Sequence, residues 1–401
     1  MALISQGANV NCIYENHNTP LHIALSDGNT TIVDLLLKNG ANVDAITDNG
    51  YNALMGACIR NNREIVELLL KYNSNVNQKS KNGWTPLMLS SRNITLNHVF
   101  FQHNKIGVAI FRILEQNNLY SLKNEPIEIV KLLIKAGSDV NHKNKEKNTP
   151  LGVAITSCNT DIVRFLLDCN ANVEEPTDFG DTLLIEASGY SLTKYRDWII
   201  NWLSWLLNFK EDKTDLIYKI KEDLQKNYGN KPQQEQIELF NSEMLKIVTL
   251  LVQHSANIKA KNNRGATAIV AASDGGNSKI VDLLLKSGCD INEIFDADMS
   301  LLFIAAQKGN IEVIKVLLQN GVDIDSPLDD GETALMTAVW YGHVELVKFL
   351  VKNGANIDAK KITPYHKEGE NMLGWAAYKF KKEKDNRYLE IFNILHNAGA
   401  K

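Results

Sequence analysis

One apolar position recurs with a period of about 33 residues through most of this chain, and that period constrains the fold more than any other feature. Starting from Leu21, the same place is filled by Leu54, Leu87, Leu151, Leu184, Ile269, Leu302, Leu335 and Leu373. The intervals 21–54, 54–87, 151–184, 269–302 and 302–335 are all equal. Those of 87–151, 184–269 and 335–373 are longer by 31, 52 and 5 residues. A unit of about 33 residues cannot bury two helices by itself, so each copy needs neighbours on either side.

The best-kept copy runs from Asn18 to Asn42. Thr19 is suited to cap a helix, and Pro20 to its first position, where a missing N–H costs nothing. After a polar break at Asp27-Gly28-Asn29, Ile32, Leu35 and Leu36 form one apolar helical face. A stop position ends each second helix. Gly holds it at 40, 137, 288, 321, 354 and 399, Asn at 73 and 170, and Ser255 alone departs. Gly and Asn best tolerate left-handed backbone, so a strained or looser helix end is expected at Ser255. A polar connector follows each stop, with turn-like tips at Asp48-Asn49-Gly50, Lys81-Asn82-Gly83, Asp178-Phe179-Gly180 and Asp329-Asp330-Gly331.

Period, helix pair and projecting turn together closely resemble the ankyrin repeat family. Thr19-Pro20-Leu21-His22-Ile23-Ala24 nearly reproduces that family's Thr-Pro-Leu-His-x-Ala signature, and Thr85-Pro86-Leu87 and Thr149-Pro150-Leu151 keep three of its residues. The resemblance implies an all-α solenoid of stacked helix–turn–helix repeats with β-hairpin-like loops. It covers nine recognisable repeats and a leading half repeat at Leu3–Asn11, either a worn cap or a sign that the natural start lies upstream. The array is expected to span residues 1–401 as one solenoid. Only His22 keeps the signature histidine; Met55, Met88, Gly152, Ile185, Val270, Phe303, Met336 and Gly374 stand in its place. Apolar packing is therefore expected to replace most of its hydrogen bonds.

The two long excesses read as helical insertions at 94–124 in the third repeat and 190–241 in the fifth, each between first and second helix. In the former, Ile106, Ile110, Ile113 and Leu114 form one stripe. In the latter, Trp198, Trp202, Trp205 and Phe209 do the same, followed by a helical pattern at Leu216–Leu224 and a polar loop at 227–236. These tryptophans either pack the insertion onto the repeats or form a partner-binding face, Trp being enriched at interface hot spots. The mixed charges that follow them argue against membrane-surface binding.

Composition excludes more than it assigns. A net charge of -4 gives no reason to expect nucleic acid. The longest apolar-rich run, Trp198 to Phe209, is short of the ~20 residues that span a bilayer. Five cysteines without a C-x-x-C argue against a disulfide frame or zinc ribbon and for reduced thiols, as in a cytoplasmic protein. No phosphate loop, H-E-x-x-H or G-x-S-x-G motif occurs. No catalytic residue, cofactor or metal is therefore assigned, and an enzyme is the competing class, its site built by the 190–241 insertion.

The resemblance implies a protein partner held along a concave side made by the turn tips and first helices. The family's variable places, just after the tip and at the end of the first helix, hold Tyr51 and Arg60, Trp84 and Arg92, Asp181, and Glu332 with Trp340 and Tyr341. Phe179 and Phe295 lie in the turns themselves. Each aromatic is either a partner contact or half-buried against the adjacent turn. The expectation is a monomeric, non-catalytic interaction scaffold or adaptor. Abundant Asn, Lys and Ile suggest an AT-rich genome, and with it a host-directed effector as a specific version. The charge run from Lys379 to Arg387 reads as a solvated C-terminal cap.

Overall fold

A computed structural model of the chain describes residues 4, 6–93, 126–177, 179–190, 194, 201, 234–296, 299–363 and 366–400. Among the described residues, the nine recurrent positions mark nine helix pairs. In chain order these are α1 (Pro20–Ser26) with α2 (Thr30–Lys38), α3 (Ala53–Ile59) with α4 (Arg63–Lys71), and α5 (Pro86–Ser91) with α6 (Pro126–Lys135). Next come α7 (Pro150–Thr156) with α8 (Thr160–Asp168), α9 (Leu183–Ser188) with α10 (Gln234–Gln253), and α11 (Ala268–Gly275) with α12 (Ser278–Lys286). The last are α13 (Leu301–Lys308) with α14 (Ile311–Gln319), α15 (Ala334–Tyr341) with α16 (Val344–Lys352), and α17 (Met372–Glu383) with α18 (Asn386–Asn397). The expected insertion at 94–124 and the tryptophans Trp198, Trp202 and Trp205 lie outside the described residues.

The two members of a pair differ in what they bury. In α3, Ala53, Leu54, Met55, Ala57, Cys58 and Ile59 are all buried. In α4 only the stripe Ile65, Val66 and Leu69 is. A first helix lies between the first helices of its neighbours and against its own second helix, so it is apolar nearly all round; a second helix keeps a solvated side. Each buried Leu contributes about 1.5–3 kcal/mol.

Helix starts follow the residues expected of them. The hydroxyls of Thr85, Thr149 and Thr333 accept from the backbone N–H three residues on, at 3.3, 3.1 and 3.4 Å. In the first repeat His22 Nδ1 accepts from the Thr19 N–H at 3.2 Å. Its replacement Met336 keeps a weak version of that bond, with Sδ 3.5 Å from the Thr333 N–H, while Met55 and Met88 are fully buried apolar fillers. Helix ends also match: Gly40, Gly137 and the other stop glycines take positive φ, and Ser255 takes it too at φ 65, where a Cβ is strained.

One expectation is corrected. The polar loop read at 227–236 does not extend over 234–236, because α10 already begins at Gln234; residues 227–233 and the helical pattern at 216–224 lie outside the described residues. The second helix of the fifth repeat is thus 20 residues long where most others have nine or ten, and its added turns bury Phe240 completely.

The chain forms two compact units, Met1–Asp178 with Ser191–His254, and Phe179–Tyr190 with Ser255–Lys401. The fifth repeat is divided between them, α9 in the second unit and α10 in the first. Within the first unit α1, α3, α5 and α7 stack in order, backed by α2, α4, α6, α8 and α10. Within the second, α9, α11, α13, α15 and α17 stack in order, with the remaining second helices behind them. Two antiparallel hairpins are described, both in the second unit: β1 (Ile294–Phe295) with β2 (Met299–Ser300), and β3 (Lys361–Thr363) with β4 (His366–Glu370).

Two polar ladders tie repeat to repeat. In the connectors, Asn11, Asp44, Asn77 and Asn141 each accept a backbone N–H of the next repeat, at 2.7–2.9 Å. Between the two helices of a pair, Asn310 Nδ2 donates to the Ser273 carbonyl at 2.8 Å and Asn277 Nδ2 to that of Ser188 at 3.1 Å. His343 and Tyr388 serve the same end in the eighth and ninth repeats, reaching the carbonyls of Gln307 and Trp340.

Candidate functional site

In the first unit, the face of first helices and turn tips holds a cleft of about 810 Å³. Its walls come from α1, α3, the tip at 47–49 and the short turn at Glu15–His17, and include Tyr14, Ile23, Ser26, Asp48, Tyr51 and Arg60. The rim is partly apolar and open: Tyr14 is 54% and Ile23 45% exposed. His17 Nδ1 pairs with Asp48 at 2.6 Å and braces one side. His22 lies beneath. With Nδ1 accepting from Thr19, its Nε2 carries the proton and faces the Tyr51 carbonyl at 3.3 Å. Burial lowers the His22 pKa, a trend that the Tyr51 carbonyl partly opposes.

Tyr51 and Arg60, both expected at a binding face, line this cleft, but not as exposed residues. Arg60 is buried at 8% exposure, and burial lowers its pKa against the opposing charge of Asp27. Tyr51 is half-buried, its phenol pushed up by burial and close to Ser80 and Arg92 of the next repeat. Arg92 in turn lies over the Trp84 ring, 5.5 Å from its centroid, and burial pushes it down to about 10. Tyr51, Trp84 and Arg92 therefore form one half-buried cluster.

The reason is the spacing of the tips. The Lys81 N–H donates to the Asn49 carbonyl at 2.9 Å, and the Lys145 N–H to that of Asn82 at 3.1 Å. Successive tips sit this close, so an aromatic beside one is covered by the next repeat.

In the second unit the expected residues divide. Phe179 is 75% exposed on its tip, while Phe295 is half-buried in β1. Asp181 accepts from Asn262 Nδ2 at 2.7 Å, and Glu332 from the Thr337 hydroxyl at 3.0 Å, so both brace turns. Trp340 and Tyr341 remain 40% and 42% exposed at the end of α15. Trp340 meets Trp375 edge-on at 5.7 Å, and Lys379 Nζ lies 4.4 Å from its ring centroid. Tyr341 accepts from Gln307 Nε2 at 2.8 Å and stacks on His343.

Sequence reasoning missed Tyr378, which is 54% exposed, and its neighbour Lys379. The signal was present: they stand five and six residues after Leu373, as Trp340 and Tyr341 stand after Leu335. Lys379 is not the solvated cap residue expected, since its side chain is only 16% exposed.

Among the described residues no group of His, Cys, Asp and Glu is placed to hold a metal, and no helix is long and apolar enough to cross a membrane. All five cysteines are free thiols. A family model described as ankyrin repeats in three copies matches residues 1–80, 49–101, 119–216, 216–295 and 293–361. The chain belongs to the ankyrin repeat family. Ankyrin repeats are general protein–protein interaction modules; those of this protein carry the cleft in the first unit and the exposed Trp340 and Tyr341 in the second. A search among curated proteins gave no match.

Proposed function

We propose that this ankyrin repeat protein is a non-catalytic adaptor that holds a protein partner on its first-helix and turn-tip face. The observation that carries the reading is the 810 Å³ cleft of the first unit, whose rim offers Tyr14 and Ile23 above a buried guanidinium. An apolar rim around a few fixed polar groups suits insertion of a partner's side chains. The exposed Trp340 and Tyr341 supply anchors of the type enriched at interface hot spots.

The test is affinity capture from lysate with the whole chain and with two variants, Ile23→Glu in the cleft and Trp340→Ala with Tyr341→Ala. These side chains are substantially exposed, so folding should survive, and thermal melts check that it does. At least one variant should lose the principal partner, by about tenfold or more in affinity. Unchanged capture by both variants moves the binding role to the insertion. Because α10 starts at Gln234 and buries Phe240, the deletion that probes the insertion spans 191–233. An adaptor keeps its partners without that segment, whereas an insertion-built activity disappears.

A further inference from the structure

The first helices of the last two repeats end side by side, and their ends concentrate both aromatic surface and positive charge. Trp340, Tyr341 and Tyr378 are 40%, 42% and 54% exposed. From Tyr378 to Tyr388 the sequence carries five cations and two carboxylates, on a chain whose net charge is -4. Both carboxylates are engaged: Glu383 with Lys379 at 2.9 Å, and Asp385 with Arg387 at 2.7 Å. Lys381, Lys382 and Lys384 are exposed, with Lys382 Nζ 5.5 Å from the Tyr378 ring centroid.

We infer that this cluster docks an acidic segment of the protein partner, with an apolar side chain of that segment set against Trp340. The inference rests on the adaptor reading above and adds the chemistry of the partner. Charge complementarity selects the occupant, since an Asp- or Glu-rich segment supplies the charge that the local carboxylates leave uncompensated. The aromatics are already held in place: Trp340 by Trp375 and Lys379, Tyr341 by Gln307 and His343. Side chains fixed before binding lose little freedom on binding. The negative end of the α17 dipole accounts for a cation or two in its last turn. It does not account for three exposed aromatic rings beside them. A nucleic acid strand could also stack on such rings, but a long polyanion would meet the net negative charge of the chain.

The test uses the full chain and a short fluorescein-labelled peptide of Asp and Glu around one Phe, read by anisotropy at low salt. Its controls are a charge-reversed Lys copy and a single-stranded oligonucleotide of equal length. The acidic peptide should bind about tenfold or more tighter than the Lys copy and weaken as salt rises. The double variant Lys381→Glu with Lys382→Glu should weaken it about tenfold, and Trp340→Ala comparably. The two lysines are exposed, so the first variant tests charge without disturbing packing. No preference for the acidic peptide, no effect of the lysine variant, or tighter binding of the oligonucleotide each overturns the inference. If Trp340→Ala with Tyr341→Ala loses the captured partner while the acidic peptide does not bind, the inference fails and the adaptor reading stands. If neither capture variant changes partner binding, the adaptor reading itself fails.

Discussion

Gly83 and Gly137 offer a controlled comparison, because both have φ far into the left-handed region, +80 and +91, yet differ in the space around them. At Gly137 a Cβ would meet nothing within 4 Å. Gly137→Ala therefore carries only the conformational penalty, about 1–2 kcal/mol. Against this, restricting the unfolded chain returns about 0.4–1 kcal/mol. The net loss should be about 1 kcal/mol. At Gly83 a Cβ would stand 3.0 Å from Asn144 Cα and 3.2 Å from Lys145 N, both backbone atoms of the next tip. These cannot swing aside as a side-chain end can. Overpacking adds about 1–3 kcal/mol. Loosening the Lys145 N–H bond to the Asn82 carbonyl, now 3.1 Å long, adds about 1 kcal/mol. With the same conformational loss, Gly83→Ala should thus cost about 3–5 kcal/mol in total. Urea unfolding followed by far-UV circular dichroism compares the two through midpoint shifts at constant slope. Equal shifts would refute the claim that tip-to-tip contact, rather than backbone conformation alone, holds these turns together.

Stability should also fall as the pH drops below about 6.5, where the unfolded chain takes up a proton at His22 more readily than the folded chain, whose His22 pKa burial lowers. His22→Met, the residue found at the equivalent positions 55, 88 and 336, should flatten this part of the Tm profile between pH 5 and 8. Asn310→Ala removes the bond to the buried end of α11 and should cost about 1–2 kcal/mol by urea unfolding. Cys58 and Cys158 should be the last thiols alkylated by iodoacetamide in the native protein, read by peptide mass spectrometry. Both are buried, and burial pushes the Cys58 thiol up to about 12 and Cys158 further. Early labelling would contradict the packing of α3 around Cys58, or of Cys158 against Met244 of α10.

The parts of the fold legible from residues alone were those set by short-range rules. Helix pairs, threonine caps and glycine stops depend on side-chain periodicity and on a single backbone angle, so a window one repeat long contained them. The candidate site was legible only in part. Trp340 and Tyr341 were expected at a binding face and are exposed, while Arg60, expected at the same face, is buried. Tyr378 went unread although it occupies the place that Trp340 holds one repeat earlier. The connectors read only as polar turns, because the backbone groups that Asn11, Asn77 and Asn141 accept from sit a whole repeat away.

The repeat period by itself implied a stack of short helix pairs, because a pair too small to bury its own apolar faces needs copies of itself on either side, and the Thr19-Pro20-Leu21-His22 signature carried the resemblance to ankyrin repeats. Whether an aromatic beside a tip meets solvent or protein was decided by tertiary structure, through residues of the neighbouring repeat. Tyr51, just after its tip, is brought half inside by Ser80 and Arg92 of the next repeat, and Arg92 also covers the Trp84 ring. Trp340 has Lys379 and Trp375 as its neighbours and stays open. Burial of Tyr51 and the surroundings of Trp340 depend on which side chains the next repeat brings against them, and no reading confined to one repeat contains that information.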